Sequence, residues 1–491
     1  MKLIDVLKNI KYEVINGDNL FVEVKDICYD SREIKEGDAF VALVGIDTDG
    51  HKYIDKAIEN GACCCIVCND VCVNSNIPII KIENTRQQLS YLSANLFENP
   101  QKDLIKIGIT GTKGKTSTAY MIKEILETAG FKVGVIGTIG TYINNKLFQH
   151  KNTTPESYQI QKYMRLMVDS GVKYLIMEVS SQALKVGRVN NIIFDYAIFT
   201  NLSIDHVGPR EHPTFDDYIQ SKALLFKQSK IGILNKDDSK YNEMVREAQC
   251  KIYTYGKNND CDLIIDDINY IHNNDFLGID ITTKGIVNDK FSINAPGGFS
   301  SYNASGAILL CKLLNIDMNS IKQGLKTFKV AGRCEIINAN KFKVVIDFAH
   351  NKISMESIIN TMRQYNPNKI IAVFGCGGGR SFERRYELGE ISGKLADLTI
   401  ITTDNPRYDD IDEINQDIAK GIKDNNGKYV IIKDREEAIK YAMNIACCND
   451  IILLLGKGHE KFQEINGHVD CFDEEKIVLN YLKMEEFNGK N

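Results

Sequence analysis

One junction restricts the fold of this chain more than any other. Residues 104–110 read LIKIGIT, and residues 110–117 read TGTKGKTS. The first run is short, apolar and bounded by polar residues, as in a strand buried on both faces. A helix is predicted from about 115 to 129, where Gly130 stops it. A strand that passes through a Gly-rich turn into a helix belongs to a parallel α/β sheet. The backbone N–H groups of such a turn, with the helix N-terminus behind them, make a nest for phosphate. Gly111, Thr112, Lys113, Gly114 and Ser117 build the loop, Lys115 is suited to β- and γ-phosphates, and the Thr116 hydroxyl to Mg²⁺. The loop is a variant, because Ile109 stands where G-x-x-x-x-G-K-[ST] has its first glycine and Gly108 comes one residue early. A Gly-rich turn opening an ordinary helix is the alternative, and the strand–loop–helix context with its Lys-Thr pair favours a nucleotide.

Similar runs recur along the chain. KVGVIGT (132–138), YLIMEVS (174–180), DYAIFTNL (195–202) and IGILNKD (231–237) continue the α/β series. Residues 250–295 alternate between short strands and Asn/Asp turns, a β-rich excursion. A second series starts after Arg333, with strands predicted at 343–349, 369–375, 398–404, 428–434 and 450–456, and a helix at 435–446. Residues 1–100 mix short strands and helices up to the breaker Asn99-Pro100. At roughly 150 residues per domain, 491 residues make about three. The expected architecture is α/β throughout: a small N-terminal domain (1–100), a central P-loop-type ATPase domain (101–334) and a C-terminal Rossmann-like domain (335–491).

Charge and composition exclude several classes. Sixty basic residues against sixty-five acidic ones leave a net charge of −5, which argues against a non-specific nucleic-acid binder. No apolar window approaches a membrane span, and MKLIDVLKNIKY lacks a signal-peptide core, so a cytoplasmic protein is expected. Of fourteen cysteines, five crowd at 63, 64, 65, 68 and 72. Neighbours on a strand point to opposite faces, so Cys63, Cys64 and Cys65 cannot all meet one ion. They read as small apolar core residues with free thiols.

TGTxGKT resembles the loop of Mur ligases and folylpolyglutamate synthases, and a series of further motifs resembles the Mur ligases along the whole chain. These are DSR (30–32), DGH (49–51), NTTPES (152–157), EVSSQAL (178–184), TNLSIDH (200–206), YIQSKALLF (218–226), AGRCE (331–335), DFAH (347–350), FGCGG (374–378), DNPR (404–407) and GKGHEKFQ (456–463). The resemblance implies a monomeric, ATP-dependent amide ligase of cell-wall synthesis. Its implied substrates are UDP-N-acetylmuramoyl-L-Ala-D-Glu and meso-diaminopimelate, with an acyl-phosphate intermediate. Ser31 and His51 match positions around the uridine diphosphate; by chemistry alone DSR and DGH are turns. Asn152, Thr153, Thr154, Ser180 and Arg188 match contacts to the muramoyl dipeptide.

Glu178 and His206 match Mg²⁺ ligands, beside Thr116. On chemistry alone His206 is a structural histidine, since Mg²⁺ prefers oxygen. Lys222, otherwise a solvated helix lysine, matches a lysine that carries CO₂ as a carbamate facing the metal. With Lys115, these three form the implied catalytic set. The interval from His206 to Lys222 is about two residues longer than the family's, through GPREHP (208–213). Asn303, Arg333, Asp347 and His350 match ATP-proximal positions, with Ser300 where the family has a second asparagine. Asn351-Lys352-Ile353 replaces the usual Thr-Pro-Asp, and Gly379 a usual Asp.

Arg385 matches the arginine that holds the incoming amino acid. Asp404, Asn405, Pro406, Arg407, Gly456 and Glu460 match its remaining pocket. Arg407 suits the distal carboxylate, because a guanidinium grips a carboxylate through two parallel hydrogen bonds. Three rivals remain: the same ligation with L-lysine, a folylpolyglutamate- or cyanophycin-type ligase, and a catalytically inactive nucleotide-binding scaffold.

Overall fold

β-Branched and aliphatic runs become strands wherever helices cover both of their faces. A computed structural model describes residues 1–45, 48–204, 207–208, 211–246, 248–273, 276–339 and 341–488, the side chains of 485–488 excepted. The chain condenses into two units: Met1–Ile264 with Ser305–Ile321, and Ile265–Ala304 with Lys322–Asn491.

The first unit holds two sheets. The smaller has five strands in the order Tyr12–Asn16, Ile79–Ile82, Cys64–Val67, Ala39–Val41, Ile27–Cys28, parallel except for the first pair. Period-two geometry sends Cys64 and Cys65 to opposite faces. Cys64 packs with Leu3, Val24 and Ile80, and Cys65 with Phe40, Ile54 and Ile79. Both thiols are fully buried, and all fourteen cysteines are free.

The larger sheet carries the phosphate loop. Ile105–Thr110 lies between Phe194–Phe199 and Tyr174–Glu178, parallel to both, and Val133–Gly137, Ser229–Asn235 and Lys251–Gly256 extend the parallel series. Apart from Lys251–Gly256, which opens the β-rich stretch, these strands and the helix Lys115–Thr128 match the expected elements to within three residues. All the functional turns therefore leave the carboxyl ends of parallel strands, where open α/β sheets bind ligands. The β-rich excursion is present as Lys251–Gly256, Leu263–His272, Leu277–Gly285 and Asp289–Ile293.

In the second unit a six-stranded sheet runs Glu335–Ala339, Phe342–Asp347, Ile451–Leu455, Ile370–Phe374, Leu398–Ile401, Tyr429–Ile431. Five strands are parallel, as the sequence predicts. The antiparallel edge Glu335–Ala339 and the hairpin Phe462–Ile465/His468–Cys471 are additions. Among the described residues no helix is long and apolar enough to cross a membrane.

Candidate active site

The phosphate loop begins where Thr110 leaves its strand. Gly111 has φ +150°, and a Cβ there would meet Thr200 Oγ1 at 2.0 Å, so only glycine fits. Its carbonyl gathers two cations: Lys115 Nζ donates to it at 2.8 Å and to Thr112 O at 3.1 Å, and Lys222 Nζ donates to it at 2.9 Å. Lys222 is 2% exposed, on the buried side of the helix Phe215–Lys227 and over the Tyr218 ring. It is not the solvated lysine that composition alone suggested. Tyr218 in turn shares a hydrogen bond with Thr112 Oγ1 at 3.2 Å.

Glu178 ends the neighbouring strand with no exposure at all. Thr116 Oγ1 donates to its Oε2 at 2.9 Å; Thr138 donates through its N–H at 3.0 Å and its hydroxyl at 3.1 Å. Thr153 bonds the Thr138 hydroxyl, and Thr154 Oγ1 donates to the Glu178 carbonyl at 2.8 Å while accepting from Ser180 N at 3.0 Å. Four predicted residues, Thr116, Thr153, Thr154 and Ser180, thus gather around Glu178, with Thr138 as an unpredicted fifth. Its position after the strand Val133–Gly137 was the available signal. The oxygen set of Thr116, Thr138 and Glu178 fits a hard divalent cation. His206 lies outside the described residues. Nearby His212, also unpredicted and 1% exposed, bridges Ser181 Oγ at 2.9 Å and Asp217 at 2.6 Å.

The other first-unit candidates are engaged within the protein. Arg188 donates to Glu156 at 3.0 Å and to Thr154 O at 2.9 Å, and Arg86 pairs with the same Glu156. The Asn152 carbonyl bonds His150 at 2.7 Å. His51 Nδ1 lies 2.6 Å from Asp49, and its Nε2 accepts from Cys68 N at 3.0 Å, which fixes the Nδ1–H tautomer. Ser31 is 7% exposed, with its carbonyl bonded by Asn60.

In the second unit a cleft opens at the carboxyl ends of the six-stranded sheet. Asp404, Asn405, Arg407, Gly456 and Glu460 of the expected amino-acid pocket line it, with His350 of the ATP-proximal set and with Phe348, Cys376, Gly378, Arg380 and Arg384; Pro406 is not among the lining residues. Gly378 is required because a Cβ would fall 1.9 Å from Pro406 O; its N–H donates to Asn405 O at 2.8 Å. Arg385 is not among the lining residues. Helical rotation turns it onto Asp409 at 2.6 Å, Asp417 at 3.0 Å and Glu413 at 3.4 Å. Gly379 fits its position: φ is +71°, and its N–H donates to Asp409 at 2.9 Å.

Two buried cations support the cleft. Lys457 Nζ donates to Asn405 Oδ1 at 3.0 Å, and Asn405 Nδ2 donates to Glu460 at 2.9 Å. Burial pushes the Lys457 ammonium below its ordinary pKa and the Glu460 carboxyl above its own, the latter opposed by Lys457. Arg435, 1% exposed, donates to Glu474 at 2.9 Å and to Leu455 O at 2.8 Å. Among the ATP-proximal candidates, Asp347 accepts from Cys334 N and Ala349 N at 2.8 Å, and burial raises its pKa. Arg333 stacks on Phe348, and Asn303 is 4% exposed. His350 Nδ1 donates to Phe348 O at 2.7 Å; burial lowers its pKa.

Three family models cover this frame: "Mur ligase family, catalytic domain" at residues 23–96, "Mur ligase middle domain" at 109–311 and "Mur ligase, glutamate ligase domain" at 332–458. A UDP-N-acetylmuramoyl-L-alanyl-D-glutamate–2,6-diaminopimelate ligase of Clostridium acetobutylicum is 42% identical, across 98% of this chain and 99% of its own. The chain belongs to the Mur ligase family. A ligase of the same description from Clostridium perfringens is 41% identical to this Mur ligase, across 98% of this chain and 100% of its own. A solved structure of such a ligase superimposes with a TM-score of 0.75 at 28% identity, covering 99% of both chains. The three-domain α/β architecture is that of the Mur ligases.

Proposed function

We propose that this Mur ligase joins meso-diaminopimelate to the D-glutamyl carboxylate of UDP-N-acetylmuramoyl-L-Ala-D-Glu, with ATP cleaved to ADP and phosphate. The carboxylate attacks the γ-phosphorus of ATP and expels ADP, giving an acyl phosphate. The amine then adds to the acyl carbon, and the tetrahedral intermediate loses phosphate. Residues 1–100 bind the UDP moiety through Ser31, with His51 holding the surrounding turns. Residues 101–334 take ATP, and residues 335–491 take the amino acid.

Gly111–Ser117 cradle the phosphates, and Lys115 leaves its carbonyl partners to follow the transferring phosphoryl group. Thr116, Glu178 and Lys222 would hold Mg²⁺, with His206 beside them. The chemistry the metal supplies when bound is neutralisation of phosphoryl charge. Lys222 acts as a carbamate, formed when its amine adds to CO₂ and releases a proton. Two ammonium groups on the single Gly111 carbonyl repel each other, and a carbamate turns that repulsion into attraction. Asn303, Arg333, Asp347 and His350 take the rest of the nucleotide. Asn152, Thr153, Thr154, Ser180 and Arg188 take the dipeptide; Arg385 acts on the cleft through Asp409. The enzyme works as a cytoplasmic monomer.

The observation that carries the choice of amino acid is the single cleft lined by Arg407, Asn405, Gly456 and Glu460. A cation and an anion on opposite partners suit a distal carbon bearing both carboxylate and ammonium. The test is phosphate release from ATP with UDP-muramoyl dipeptide and a panel of amino acids. Turnover with meso-diaminopimelate well above that with L-lysine is expected; equal or better use of L-lysine overturns the reading.

A further inference from the structure

Arg407 has a conformation that its own chemistry does not favour. Its φ is +55°, the left-handed region that non-glycine residues keep only when their surroundings impose it. The hairpin Phe462–Ile465/His468–Cys471 imposes it here. Arg407 N donates to Glu464 O at 3.2 Å, and Asn466 N donates to Arg407 O at 2.5 Å. Glu464 N donates to Asn405 Oδ1 at 3.0 Å, so the same residue holds the loop at two points.

The side chains continue the contact. Glu464 Oε2 lies 3.5 Å from Arg407 Nε. A guanidinium can offer a carboxylate either its Nε side or its two Nη groups. Glu464 occupies the first, and the Nη groups have no partner among the described residues. Arg407 lines the cleft; Glu464 does not.

We infer that Glu464 is a positioning residue for amino-acid selection: it anchors Arg407 by the Nε edge and turns the Nη edge toward the distal carboxylate of the incoming diaminopimelate. The inference rests on the function proposed above. Without the Glu464 carboxylate, the backbone bonds persist while the guanidinium rotates among several rotamers, and only some of these meet the ligand. The pair is partly exposed, with side chains 55% and 29% accessible, so the effect is modest, about threefold to fivefold.

The experiment compares Glu464→Ala and Glu464→Gln in the wild-type and Arg407→Ala backgrounds, with thermal melting as the check on folding. In the wild-type background, Glu464→Ala raises the KM for meso-diaminopimelate about threefold to fivefold, while kcat and the KM for ATP stay put. Glu464→Gln, whose amide oxygen still accepts, loses less. In the Arg407→Ala background the Glu464 substitutions add nothing. An unmoved KM in a wild-type enzyme that selects diaminopimelate overturns this inference alone, as does an equal rise in both backgrounds. Wild-type preference for L-lysine overturns it together with the proposed function.

Discussion

Replacing Arg407 with alanine should separate diaminopimelate from lysine. The magnitude follows from its surroundings. Loss of one partner from a buried charge pair costs about 2–5 kcal/mol, whereas exposed pairs contribute about 0.2–1 kcal/mol. The Arg407 side chain is 55% accessible before ligand arrives and already has Glu464 on one edge. The lower end of the buried range, about 2 kcal/mol, therefore applies, which is a loss of roughly 30-fold. L-lysine, lacking that carboxylate, loses nothing. Steady-state phosphate release should show kcat/KM for meso-diaminopimelate down about 30-fold, that for L-lysine unchanged, and the KM for ATP unmoved. A loss under about threefold, or an equal loss for both amino acids, refutes the reasoning.

Lys222→Ala should cut ligation by about 100-fold or more with melting unchanged, and short carboxylates should restore part of it; near-normal turnover of this variant in CO₂-depleted buffer excludes the carbamate. Because burial holds the Glu460 carboxyl above the ordinary glutamate range, it protonates early as pH falls, and the ligand ammonium then loses its partner. The KM for diaminopimelate should therefore climb on acidification, starting at a higher pH than an exposed glutamate would give, an effect that Glu460→Gln abolishes; the same limb in that variant contradicts the assignment. Arg435→Met strands the 2%-exposed Glu474, so urea unfolding followed by circular dichroism should show about 3–5 kcal/mol of destabilisation. A second change, Glu474→Leu, should recover most of it, and a first loss below about 1 kcal/mol argues against a net charge pair.

The parallel strands were legible because burial on both faces demands continuous aliphatic runs, and the phosphate loop because few sequences place Gly-Lys-Thr after such a run. The hairpin Phe462–Ile465/His468–Cys471 was harder to see. Its strands are largely exposed, so no apolar alternation marks them. A usable signal was present: Asn466-Gly467, with φ of +51° and +77°, is the pair that a tight hairpin turn requires. With the hairpin went Glu464, whose part in holding Arg407 depends on pairing across some sixty residues. The arginines of RSFERR show a different limit. Sequence identifies Arg385 by motif, but the helical rotation of about 100° per residue separates it from Arg384, and only Arg380 and Arg384 line the cleft. Lys222 misled in the opposite direction, since an amphipathic pattern cannot show that a lysine points inward to a carbonyl.

The buried Arg435 also bears on synthesis from the ribosome. Its guanidinium ties Leu455 and Thr403 to Glu474, and Asn405 waits for Lys457 and Glu464. A nascent chain that has just released DNPR therefore carries a loop whose left-handed arginine has nothing to hold it. Until about sixty further residues emerge, the partners of that loop do not exist, and the strand ends around it expose uncompensated polar groups. The amino-acid cleft is thus among the last parts of the molecule to form, and a chain cut between residues 407 and 457 would keep the phosphate loop without gaining a seat for the amine.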